Sequence, residues 1–80
     1  MSASNERKAM RVEMEALADG IISIEAWANE LAEAATELSD QPGAKALLTM
    51  LRQKRVQALE RRGQLAALRE EYTARFHPKQ

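Results

Sequence analysis

Apolar residues recur along the first half of the chain at Met10, Met14, Leu17, Ile21, Ile24, Ala28, Leu31, Ala35 and Leu38, separated alternately by four and three positions. That alternation is a heptad seam of period 3.5, held over four repeats, and it predicts a long helix supercoiled against another helix. The second half carries a plainer stripe, Ala44, Leu51, Ala58, Leu65 and Tyr72, flanked by Leu47, Leu48, Leu59, Ala66, Leu68 and Phe76. Between the two lies the one strong interior breaker, Ser39-Asp40-Gln41-Pro42-Gly43. Proline fits the first turn of a helix, and Ser39 or Asp40 is placed to cap it. Ser4 or Asn5 is the candidate N-cap of the first helix, and His77-Pro78 the stop of the second, because a residue before proline is pushed out of the α region. The pattern predicts an all-α chain: a single domain over 1–80, helix 1 at about 5–39, a turn at 39–43 and helix 2 at about 44–76.

A turn this short makes the two helices antiparallel neighbours, a helical hairpin of coiled-coil type. Folding about Gln41 sets residue i beside roughly residue 82 − i. The expected layers are Leu38 with Ala44, Leu31 with Leu51, Ile24 with Ala58, Leu17 with Leu65 and Met10 with Tyr72. Large side chains face small or medium ones in most layers, as interdigitated packing requires. Composition agrees with an all-helical reading. The chain has 15 Ala and nine Leu but only five Ile plus Val, so β-branched strand formers are scarce.

Net charge is zero, yet it is divided. Residues 1–43 hold nine acids and three bases; residues 44–80 hold nine bases and three acids. Two segments of opposite charge lying against each other produce such a division, and so does a basic segment that binds nucleic acid.

Two helices of ~33 residues shield only one stripe of each other. Apolar residues outside that stripe, notably Ile22 and Trp27 with Ala34 on helix 1 and Val56 and Leu59 on helix 2, call for a second hairpin. Two-fold pairing into a four-helix bundle is the simplest closure, so a homodimer is expected. Gly20 and Gly63 fall at one height of the hairpin. They are either tolerated surface glycines or a point of close approach for a partner helix. With Ile22, Trp27, Ala34, Val56 and Leu59 they form the candidate dimer or partner surface.

Arg55, Arg62 and Arg69 recur every seven residues near the inward stripe of helix 2. Unpaired buried guanidinium is costly, so the row is expected to reach carboxylates such as Glu13 and Glu25, or to bind anions. Arg62 is expected where solvent access is lowest. Helix 2 also carries Lys45, Arg52, Lys54, Arg61 and Arg75, but its ring residues Tyr72 and Phe76 lie together at its end, without the interleaving that stacks bases.

Candidate chemistry is sparse. The chain has no cysteine and one histidine. Glu30, Glu33 and Glu37 share a helix side, but no His follows a Glu at the spacing of a carboxylate-bridged metal site. No nucleophile motif or phosphate-cradling glycine loop is present. No enzyme activity, cofactor or metal is expected. No apolar run reaches ~18 residues, and no apolar run follows the N-terminal Arg7-Lys8, so neither a membrane span nor a signal peptide is expected, and the location is expected to be cytoplasmic. The function expected is that of a small protein-interaction module (regulator, adaptor or chaperone), a hairpin dimer docking a partner protein on its apolar flanks. The alternative is an RNA- or DNA-binding regulatory dimer using the basic face of helix 2.

Overall fold

A computed structural model describes residues 3–77 as two long helices, α1 (Ala3–Glu37) and α2 (Gly43–Phe76). They pack against each other along their length as an antiparallel hairpin, with no strand among the described residues. Their residues are mostly strong helix formers, and most of the stabilisation comes from the stripe each buries on the other.

The reversal uses no left-handed backbone. α1 ends by tightening: the Leu38 N–H donates to the Ala34 carbonyl at 3.0 Å, and the Ser39 N–H to the Thr36 carbonyl, one position nearer, at 3.3 Å. Two successive tight turns follow, with Gln41 N–H bonded to Leu38 O at 2.8 Å and Ala44 N–H to Gln41 O at 3.2 Å. Pro42 occupies the N-cap of α2 with φ −58° and ψ −30°, already helical because the proline ring fixes φ. No described residue, glycine included, has positive φ.

Three local expectations are corrected. The cap of α2 is Pro42, and neither Ser39 nor Asp40 makes a side-chain capping bond, because the chain enters the helix through backbone turns. Ser4 and Asn5 lie inside α1, which already runs from Ala3, so they are not its N-cap. Leu38 has left the helix for the turn and is 39% exposed, so the seam closes at Ala35 instead. At the far end α2 stops at Phe76, and the His77 N–H caps Thr73 O at 2.9 Å; Pro78 lies outside the described residues.

The buried residues are Met10, Ile21, Ala28, Leu31 and Ala35 of α1 and Ala44, Leu51, Ala58 and Leu65 of α2. On α2 they fall at strict seven-residue intervals. Met14, Leu17 and Ile24 are half-buried at the edge of the seam, as are Leu47, Leu68, Tyr72 and Phe76 opposite, whereas Leu48, Leu59 and Ala66 are exposed. Leu31 and Leu51 meet in a cluster with Ala28, flanked by Ala32 and Leu47, which matches a register near 82 − i. Near the open end the Arg7 Nε–H donates to the Tyr72 hydroxyl at 2.9 Å, and Tyr72 leans on Phe76 with ring centroids 5.1 Å apart.

The molecule measures 58 × 21 × 14 Å, one helix thick. No described side chain falls below 2% exposure. Total accessible surface is 6235 Å². A compact monomer of this mass exposes roughly 4,850 Å². The hairpin therefore carries about 1,400 Å² of surface beyond what a self-sufficient domain of its size shows. Among the described residues no helix is long and apolar enough to cross a membrane.

Candidate functional site

Residues seven apart lie on one strip of a helix whose seam has period 3.5, so the heptads sort the exposed side chains into faces. Gly20, Trp27 and Ala34 form one strip on α1. Ile22 and Asn29 form another, and Asn29 lines an open trough of about 540 Å³ together with Glu25, Arg55, Leu59 and Arg62. Ala28 and Ala58 are its floor. Val56 and Gly63 share a third strip, one residue beyond Arg55 and Arg62 and turned toward the back of α2. The seven residues of the candidate surface thus occupy at least three strips. Ile22 and Leu59 are brought to one face of the hairpin; Trp27, Gly20 and Ala34 are on the other.

On the trough face the apolar rim is exposed: Leu59 is 68% accessible and Ile22 65%. The hollow lies over two successive seam residues, Ala28 and Ala58, whose methyl side chains bring little bulk to the joint. A second trough of about 400 Å³ continues the face toward the open end, lined in part by Met14, Glu15, Ala18 and Arg69. Arg69 lies seven residues beyond Arg62, and Ala18 seven before Glu25, so both troughs follow the same pair of strips.

The arginine row borders this face. Arg62 pairs with Glu25 across the hairpin, and its side chain is 55% exposed against 43% for the glutamate. The expectation of low solvent access at Arg62 is therefore corrected: the row stands one position off the buried stripe, at the rim, where the long side chains reach water. Arg55 and Arg69 are also exposed and make no ion pair among the described residues. Such an exposed pair contributes about 0.2–1 kcal/mol. Arg62→Ala should accordingly lower stability by less than about 1 kcal/mol in a urea melt. A larger loss would mean that Arg62 is held in an environment drier than the isolated hairpin provides.

The opposite face carries Trp27. The Lys54 ammonium sits 3.9 Å from the Trp27 ring centroid, so the indole, 48% exposed, already has a cover from its own chain. The sequence pattern places Lys54 only among the bases of helix 2, not beside Trp27. The available signal was its position seven residues after Leu47, on the inward side of helix 2 and within one residue of the level of Trp27. A lysine on the inward side is readable only once its aromatic partner is known. Lys54→Ala should redden Trp27 emission and cost about 0.5–1 kcal/mol. Unchanged emission would show that the ammonium does not cover the ring in solution.

Gly20 and Gly63 have open space where a Cβ would stand, with nothing within 4 Å. Neither is required by packing inside the hairpin. Among the described residues no three His, Cys, Asp or Glu side chains gather as a metal site would require, and Glu30, Glu33 and Glu37 are all exposed.

Comparison with protein families, with curated proteins and with solved structures finds no match to this chain.

Proposed function

We propose that the chain is a protein-interaction module without catalytic activity, working as a dimer of helical hairpins in a four-helix bundle and docking a helix of a partner protein on the apolar flank that remains. The surface excess of about 1,400 Å² over a compact monomer carries this reading. Eight large hydrophobic side chains contribute to it, at 39–68% exposure. A two-helix layer has no second layer to cover them, and domains ordinarily pair layers around a core. Open troughs suit the reception of the helices of a second hairpin, which offer anchors at three- and four-residue spacing. They suit catalysis poorly, since a reaction site excludes water.

Sedimentation at micromolar concentration tests the first half of the reading and should give twice the chain mass. The second half is tested by capture from the source cell at two salt concentrations, with Trp27→Ala beside the wild type. A protein retained at moderate salt by the wild type, and lost with a Trp27→Ala variant that is still dimeric, supports docking on the apolar flank. Bound nucleic acid that is released steeply as salt rises would replace this reading with the basic face of α2 as a phosphate-binding surface.

A further inference from the structure

The dimer reading leaves open which face is shared and how the two hairpins are oriented; the trough face and the charge division answer both. Resting on that reading, we propose that a second copy of this chain occupies the trough face. The two-fold axis runs parallel to the hairpin, so both turns lie at the same end and α1 of each copy crosses α2 of the other.

Area is the first argument. A stable interface removes about 800 Å² from each partner. The excess of about 1,400 Å² per chain accommodates that and leaves surface over. Shape is the second. The trough is hollow at Ala28 and Ala58, both 5–6% exposed, while Leu59 projects from its rim at 68%. A self-complementary surface needs a projection and a recess at nearly one height, because two-fold symmetry sets each against the other. On the Trp27 face, by contrast, the Lys54 ammonium stands 3.9 Å from the ring centroid and sets a charge over one side of the indole.

Charge decides the orientation. Two layers of two helices can stack about either of two axes lying in the shared plane. An axis perpendicular to the helices sets α1 on α1, stacking the acidic segment, nine acids to three bases, on itself. An axis parallel to them sets α1 on α2, so that every neighbouring pair in the bundle is antiparallel and opposite in charge. Like-charge juxtaposition disfavours the first arrangement. The parallel axis also preserves height along the rod. Glu15 and Arg69 line one trough, so the partner's Glu15 comes level with Arg69. The partner's Glu25 comes level with Arg55, since both line the other. Arg55 and Arg69, which make no ion pair among the described residues, thus each face an acid across the interface.

The test uses the full chain, which has no cysteine. Gln41→Cys, an exposed position in the turn, takes a single spin label, and dipolar electron resonance reads the distance between copies. Adjacent helices lie ~8–10 Å apart, so the labels should be within roughly 10–25 Å of each other. Labels separated by something near the 58 Å length of the hairpin would overturn the orientation while leaving a dimer in place. A monomeric mass with no dipolar signal would overturn the dimer reading itself. The face is tested by Leu59→Glu against Met50→Glu, the latter on the Trp27 side. Leu59→Glu should raise the dimer dissociation constant about tenfold or more with helicity retained, and Met50→Glu should leave it unchanged. The reverse ranking would assign the interface to the other face.

Discussion

Leu31→Ala and Leu65→Ala are each expected to destabilise the hairpin by about 2–3 kcal/mol, the lower part of the range for removing a buried leucine. The two side chains are 7% and 6% exposed, so nearly the whole isobutyl group leaves water on folding. Within a single hairpin the cost stays in the lower part because only one facing helix walls the space. Water or a neighbouring side chain reaches the vacated space, which trims the cavity contribution. A second hairpin on the trough face encloses it further and moves the cost upward in that range. Leu17→Ala, at a half-buried position on the same seam, should cost less. Urea melts of the three variants check the order. Equal losses at all three would mean that Leu17 is covered by something other than α2.

The second large effect has the opposite sign. Gly20→Ala and Gly63→Ala are expected to stabilise the chain together by about 2 kcal/mol, since glycine in a helix interior is about 0.8–1.0 kcal/mol less favourable than alanine. The added methyls meet nothing within 4 Å, so no packing loss offsets the gain. For a domain of this size the melting temperature should rise by about 8–16 °C. A fall at either position would place a second helix against that glycine, and the two sites report separately: Gly20 on the Trp27 strip, Gly63 on the back of α2.

The hairpin was legible because each heptad repeats the same instruction. Met10, Ile21, Ala28, Leu31 and Ala35 are buried as the four-three spacing requires, and Leu51 meets Leu31 as the register predicts. Ends were less legible. Leu38 obeys the spacing but sits beyond the last helical residue, where the period no longer governs where a side chain points. Ser39 and Asp40 have capping chemistry, yet consecutive backbone turns satisfy the entry to α2 without them. Among the candidate surface residues, apolarity could be read from sequence, but grouping could not. Ile22 and Trp27 look alike in a hydrophobic count, and only the division of strips between the two faces separates them. Arg62 reaches Glu25, one of the two acids named for the row, more than one turn along from the residue that the register sets opposite it, and the exposure of that pair follows from a one-position offset that a straight-helix projection blurs.

A layer one helix thick with a strictly periodic joint behaves as a one-dimensional object. Each heptad of α1 touches chiefly the heptad of α2 at its own height, so stability accrues as a sum over levels, as in stacked repeats. Length is then an adjustable property of the rod. Removing seven residues from α1 together with the seven opposite them on α2 shortens it by about 10.5 Å and leaves every remaining level in phase. Removing one or two instead rotates everything beyond the cut by about 100–200°, onto a different face. Descendants of such a chain can therefore change reach in whole-heptad steps while keeping the same side turned toward whatever they bind.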